Sequence, residues 1–363
     1  IILAFSSLSA VGGIDVLKQR LADLSPAGAQ AGTSASLLSF FPNLDSPWMP
    51  MITSFFYISL NWWASWYPVA EPGGGGYVAQ RMFSARTEQD AQLATLWFQI
   101  AHYALRPWPW IITALCAMVL YPGLDDPETG YVRIMIDHLP PYLRGLMVAS
   151  FLAAYMSTIA TMLNWGASYL VNDVYQRFLR PSAPERHYVR ISQAATVVLT
   201  LASAVITFYM DSISGAWKLL IVTGAGTGGV LLARWFWWRV NAWSEVSAMV
   251  IAAIVSIYLQ TAMGLDSADP RGFAHIMLIT VSLTTAGWVA VTLLTAPEPA
   301  SRLIEFYRRV HPIAAGWRPI ARQAPEVRPD RDGWQNLFGM LAAGVLIYGL
   351  LFGTGKLLLK EYS

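Results

Sequence analysis

Two adjacent hydroxyls, Ser157 and Thr158, stand near the middle of an unbroken apolar run, LRGLMVASFLAAYMSTIATMLNWGASYLVNDVY, over residues 143–175. In a helix the carbonyl oxygen of residue i lies close to the side chains at i+3 and i+4. Ala154 precedes Ser157 by three positions and Thr158 by four, so its carbonyl and both hydroxyls are expected on one patch. Three hard, uncharged oxygens on a low-dielectric wall suit a small alkali cation, held loosely enough to be released. A plainer use also exists. Ser and Thr in membrane helices commonly bond back to the carbonyl four residues earlier, or join neighbouring helices. The pair alone leaves both readings open.

The elements that must position this patch are membrane helices. The chain of 363 residues is 55% hydrophobic and 13% charged, with a mean hydropathy of +0.43, outside the soluble balance. Its apolar residues form long blocks at 48–68, 93–121, 143–170, 188–209, 213–238, 243–263, 273–295 and 334–354. Each meets the requirement of ~20 residues for a membrane-spanning helix. A soluble protein could not hide so many helices that are apolar all round. Alternating ten-residue segments are absent, which argues against a barrel. The expected class is all-α, a polytopic helical membrane protein.

Charge orients the bundle. Segments after the first, third, fifth and seventh spans carry Arg81 and Arg86, then Arg177, Arg180, Arg186 and Arg190, then Arg234 and Arg239, then seven arginines from Arg302 to Arg331. The opposite side has fewer cations, from Lys18 and Arg20 to Lys356 and Lys360, so the arginine-rich side is expected in the cytoplasm. Residues 296–332 read as a basic, proline-bearing cytoplasmic linker, and GGIDVLKQRLADL as a short amphipathic surface helix. The outer loop at 122–142 carries Asp125, Asp126, Glu128 and Asp137, read as a solvated surface because no His or Cys stands at ligand spacing. Clustered intramembrane nucleophiles or metal ligands are not evident, so the chain is not read as an enzyme. The single cysteine, Cys116, excludes an intrachain disulfide framework, and a net charge of +2 offers no basic domain for nucleic acid. No protein partner is evident. The first residue is Ile and IILAFSSLSAV resembles the end of a helix, so the natural amino end is expected to lie upstream.

The first span breaks. ITSFFYISLNWWASWYPVAE runs into PGGGG and then YVAQRMFSAR, and Pro68, Pro72 and Gly73–Gly76 cannot sustain a regular helix. Discontinuous helices mark binding sites in transporters, where freed carbonyls and helix ends hold ligand. A plain helix end and turn is the competing reading. Near the break stand Asn61, Trp62, Trp63, Trp66, Tyr67, Glu71 and Tyr77, aromatic faces with one carboxylate that can enclose a cationic or zwitterionic solute. The same tryptophans can serve as interface or packing residues. His102 and Arg106 are candidates for a cavity wall or for structural pairing. Asn164 is read as bonding across helices. Gly224, Gly226, Gly228 and Gly229 in the fifth span are read as packing positions, with a hinge as the competing reading. GAGTGG lies inside an apolar span and is no nucleotide loop.

The stretch LPPYLRGLMVASFLAAYMSTIATMLNWGASYLVNDVYQRFLRP resembles the sodium-site helix of the sodium/solute symporter family, whose members carry sugars, proline, pantothenate and related solutes. GGGGYVAQRMFSARTEQDAQLATLWF resembles a core segment two helices earlier, and AVGGIDVLKQRL the helix end before that. The resemblance implies the five-plus-five inverted repeat of leucine-transporter-type folds. Residues 1–240 would be the core, holding the end of the first repeat and the whole second repeat, and 241–363 peripheral helices. It places a small-residue carbonyl and two hydroxyls at the sodium site, matching Ala154, Ser157 and Thr158. On the solute side, Gly75 falls where sugar-carrying members have an amide or carboxylate, and Tyr103 falls near a lysine some of them use. The solute candidates are therefore Trp63, Trp66, Tyr67, Glu71, Gly75, Tyr77 and Tyr103. The implied activity is sodium-coupled symport of a small organic solute (sugar, amino acid or carboxylate-like) by alternating access, in a bacterial inner membrane. A symporter-like solute sensor without net transport is the alternative.

Overall fold

Apolar segments with no water to bond must close their backbone internally, and this chain does so as helices. The computed structural model describes residues 1–24, 38, 40, 51–64, 82–210, 212–312, 314–328 and 333–361, with no strand among them. Six helices are long and apolar enough to cross a membrane: α4 (Glu88–Leu120), α6 (Pro141–Leu179), α7 (Glu185–Phe208), α10 (Ala242–Thr261), α11 (Pro270–Leu294) and α14 (Gly333–Leu358). Shorter helices precede and join them. They are α1 (Ile2–Val11), α2 (Ile14–Leu24), α3 (Met51–Phe56, a π-helical turn at Tyr57–Asn61, then Trp62–Ala64), α5 (Gly130–His138), α8 (Ile213–Thr223), α9 (Thr227–Phe236), α12 (Ala300–Val310) and α13 (Ala314–Ala321). The chain divides into two compact units, Ile1–Lys18 with Ile112–Ile213, and Gln19–Ile111 with Ser214–Ser363.

In the first unit, Gly12 ends α1 in a left-handed turn at φ 103, and its N–H bonds back to the Leu8 and Ser9 carbonyls. Ser6 Oγ donates to the His138 carbonyl at 2.5 Å, tying α1 to α5. Pro141 opens α6 at the first helical turn, where its missing N–H is not needed. A short turn reverses the chain into α7, fastened by Tyr188, whose hydroxyl donates to the Arg180 carbonyl and accepts from the Ala183 N–H. The two helices close at Gly166, where an added Cβ would lie 2.9 Å from Leu199 Cδ1. Three of the carboxylates in the 122–142 segment serve local structure. Asp126 accepts the Glu128 N–H at 2.9 Å, Glu128 accepts the Ile213 N–H at 3.1 Å, and Asp137 accepts the Tyr121 hydroxyl at 2.7 Å.

The second unit is built on the α10–α11 hairpin. Asn241 caps α10 with a reciprocal box to Ser244, and Asp269 caps α11 by accepting the Gly272 N–H. Small residues Ser244, Ala248, Ala252 and Ser256, spaced by four, are buried along α10. Such a stripe lets helices approach closely where no hydrophobic force acts between them. Gly287 of α11 has no room for a Cβ beside Ile251, and Thr292 donates to Ser244 Oγ at 2.6 Å. Asn241 reaches Thr295 Oγ1 and the Ala296 carbonyl, so the start of α10 and the end of α11 share one end of the unit. Phe56 of α3 meets Phe273 edge-on at 5.6 Å. Trp108 of α4 donates to the Leu351 carbonyl of α14 at 3.1 Å.

The fifth span departs from its sequence reading as one helix over 213–238. It is two helices, α8 and α9, separated at Gly224–Gly226. Gly226 takes φ 92, which side-chain-bearing residues avoid, and its N–H donates to the Ala64 carbonyl at 2.8 Å. The break is thus satisfied by the end of α3 instead of by water. Gly228 packs directly on the Trp63 carbonyl and Gly229 near the Trp63 ring, the packing role read for these glycines. Two further elements lay unread in the sequence: α5 in the outer loop and the α12–α13 hairpin in the basic linker.

Candidate functional site

Helical geometry places Ala154, Ser157 and Thr158 on one side of α6, and all three are exposed. Nine positions, two and a half turns, separate Ser157 from Gly166, so the hydroxyl patch looks away from α7. The neighbouring hydroxyls behave as membrane hydroxyls usually do. Ser150 donates to the Leu146 carbonyl at 2.8 Å, and Thr161 to the Ser157 carbonyl at 2.9 Å. On α7, Thr196, Thr200 and Thr207 each close on the carbonyl four residues back. Neither Ser157 Oγ nor Thr158 Oγ1 bonds to a described residue. A hydroxyl left unmatched in an apolar setting costs about 1–3 kcal/mol. The two hydroxyl oxygens stand exposed beside an Ala154 carbonyl at i−3 and i−4, and like any hydroxyl oxygen they carry lone pairs a cation can use. Polar residues continue along this side as Thr161, Asn164 and Ser168, with Asn172 Nδ2 at 3.4 Å from Ser168 Oγ.

The solute candidates divide. Trp63 is half-buried, donates to the Ser59 carbonyl at 2.7 Å and packs on the Phe56–Phe273 cluster. Tyr103 is 48% exposed on the π-helical turn Ile100–Leu105 of α4 and meets His102 edge-on at 4.7 Å. Trp66, Tyr67, Glu71, Gly75 and Tyr77 lie outside the described residues, as does the break at Pro68–Gly76. His102 and Arg106 pair with each other, Nδ1 to a guanidinium nitrogen at 2.8 Å, and Arg106 also lies 4.6 Å from the Trp110 ring. Among the described residues no group of three His, Cys, Asp or Glu side chains is placed to hold a metal ion. Just beyond α4, burial and the bond to Asp137 push the Tyr121 hydroxyl up to about 12.

Sequence reasoning missed the docking of α3 on the glycine turn. Gly224 and Gly226, two residues apart, flank the turn, but only the partner carbonyl of Ala64 decides that the helix stops there. The π-helical turns at Tyr57–Asn61, Ile100–Leu105 and Tyr169–Leu179 carry no clear sequence signal, although such turns gather at functional positions.

Comparison with known proteins bears on this arrangement. The sodium:solute symporter family matches residues 1–252. The high-affinity proline transporter of Bacillus subtilis is 30% identical over 37% of this chain and 29% of its own length. The sodium/proline symporter of Haemophilus influenzae is 29% identical over 44% of this chain and 33% of its own. The sodium/mannose cotransporter of Bos taurus is 23% identical over 98% of this chain and 65% of its own. The chain thus spans less than two thirds of the length of each of these curated relatives.

Proposed function

The chain belongs to the sodium:solute symporter family, and from that premise we propose that it forms part of a sodium-coupled symporter for a small organic solute. It is an integral multi-pass membrane protein by its six apolar helices and its family. The observation that carries the proposal is the exposed oxygen patch on one side of α6, where Ser157 and Thr158 follow the Ala154 carbonyl by three and four residues, in a chain the family model matches over residues 1–252. Sodium is the co-transported cargo, with the Ala154 carbonyl and the two hydroxyls as its ligands on α6. Uncharged oxygens hold the ion without trapping it, as a transport cycle requires. Ion binding favours the solute-accepting arrangement by the difference in solute affinity it creates, typically ~1–3 kcal/mol.

Relatives named for proline and for mannose support a solute of amino-acid or sugar size. Tyr103, Trp63 and the aromatic and acidic residues at 66–77 are its proposed contacts. Residues 1–240 act as the transporter core with the second inverted repeat, and 241–363 as peripheral helices. The protein performs no chemistry on its solute and is not an enzyme. The bacterial proline transporters among its relatives support a bacterial inner membrane.

The test is uptake of labelled proline and mannose by the full-length protein in proteoliposomes, with and without an inward sodium gradient. Sodium-driven accumulation is expected, and Ser157→Ala with Thr158→Ala should shift the sodium requirement upward. Unchanged sodium dependence in the double variant rejects the site. Solute binding without accumulation makes the protein a sensor.

A further inference from the structure

The arginine-rich end of the second unit holds a cleft that the transport reading does not use. Its volume is about 480 Å³, and Arg234, Trp235, Glu298, Arg302, Phe306 and Trp317 line it. It is a built feature. The α12–α13 hairpin closes on its own small core, where Tyr307 is fully buried and Leu303, Trp317 and Ile320 nearly so. Phe306 stacks on Trp317 at 5.2 Å. The hairpin is then pinned to the end of α9: Trp317 Nε1 donates to the Trp235 carbonyl at 3.0 Å, and Gly316 packs on the Phe236 carbonyl with no room for a Cβ.

Arg234, whose guanidinium lies 5.8 Å from the Trp235 ring, and Arg302 line this cleft together with Glu298. Glu298 holds Arg302 only at 3.6 Å, with the Arg302 side chain 77% exposed, a pairing that an incoming anion displaces at little cost. Planar guanidinium forks match phosphate oxygens in pairs. The level of the cleft is set by its neighbours. Arg239 donates to the Thr292 and Leu293 carbonyls at the end of α11, and Phe236, Leu293 and Leu294 stand exposed at this same end. Large apolar side chains exposed beside basic ones mark the boundary between acyl chains and headgroups.

We infer that this cleft binds the phosphate of an anionic phospholipid, with the guanidinium groups of Arg234 and Arg302 on the phosphate and the aromatic side chains against its glycerol and upper acyl carbons. The inference stands apart from the sodium site and does not depend on it.

The test is native mass spectrometry of the full-length protein with phosphatidylglycerol, with phosphatidylcholine, and with phosphatidylglycerol in competition with inorganic phosphate. Wild type should retain phosphatidylglycerol over phosphatidylcholine. Arg302→Gln, at an exposed position that folding does not need, should weaken retention about tenfold, and Arg234→Gln with Arg302→Gln further. Arg318→Gln on α13 with Arg322→Gln just beyond it, both outside the cleft lining, should leave it unchanged. Equal retention by wild type and Arg302→Gln overturns the assignment, as does an equal loss from the Arg318/Arg322 variant, which would mean diffuse attraction to a basic surface. Displacement of the lipid by an equal concentration of inorganic phosphate would make the ligand a soluble anion and overturn the lipid.

Discussion

Two sets of hydroxyls in this protein lack hydrogen-bond partners among the described residues, and their surroundings are opposite. On α11, Thr280, Thr284 and Thr285 bury their hydroxyls, and Trp288 its indole N–H, in the packed core around the glycine turn. On α6, Ser157 and Thr158 are exposed, on a helix with none of its membrane-length window buried. The buried set is sealed: the Gly226 Cα faces Thr284 so closely that an added Cβ would lie 2.7 Å from Thr284 Cβ. The exposed set can acquire a partner. The same chemical group is thus a packing element with a polar penalty in one region and, in the other, an exposed oxygen that the proposed sodium site would use.

That contrast is broken most severely from the packed side. Gly228→Val would drive a side chain into the Trp63 carbonyl and undock α3 from α9, with an expected loss of about 3 kcal/mol or more in detergent unfolding. Gly349→Ala, with nothing near its Cα, should sit within ~0.5 kcal/mol of wild type in the same assay. Ser157→Ala and Thr158→Ala should each raise the half-saturating sodium concentration for uptake about tenfold while leaving the unfolding midpoint in place. A stability loss without a sodium effect would equate the two hydroxyl sets. Thr284→Val removes an unmatched buried hydroxyl at constant shape and should be neutral or stabilising by up to ~1 kcal/mol, against a loss of about 1 kcal/mol for Thr292→Val, which breaks the bond to Ser244.

The smallest effect is one of pH. A bond from its own backbone N–H, then Arg308, holds the Glu326 carboxyl below its ordinary value of 4.5. A carboxyl lowered on folding stabilises above that ordinary value and loses the contribution as pH falls through its folded value. Hydrogen-exchange protection in α12, taken relative to the intrinsic rate at each pH, should therefore fall below about pH 4.5, and Glu326→Gln should remove that pH dependence without moving the global midpoint.

Hydropathy located the long spans because a bilayer imposes their length on any sequence, and α4, α6, α7, α10, α11 and α14 fall within a few residues of their expected places, apart from the longer start of α4 and end of α6. The shared side of Ala154, Ser157 and Thr158 was equally legible, since it depends on helical spacing alone. What escaped notice depends on partners. The fifth span stops at Gly224 because Ala64 offers a carbonyl to Gly226, and no local signal in GAGTGG says that this partner will be there. The α12 helix did leave a trace, with Leu303, Tyr307 and Val310 at helical spacing after Pro299. Its arginines and the prolines around it masked that trace as linker. That His102 and Arg106, four apart on α4, face each other follows the ordinary i,i+4 spacing of a helix, which left their partner open among several polar choices.

The α9 rod is gripped at both extremities. Trp63 and Ala64 hold its first turn through Gly226 and Gly228, and Gly316 and Trp317 hold its last through Trp235 and Phe236. Ten residues of helix, about 15 Å, separate the two grips. Substitutions at Gly228 and at Gly316 therefore bear on opposite ends of one short helix.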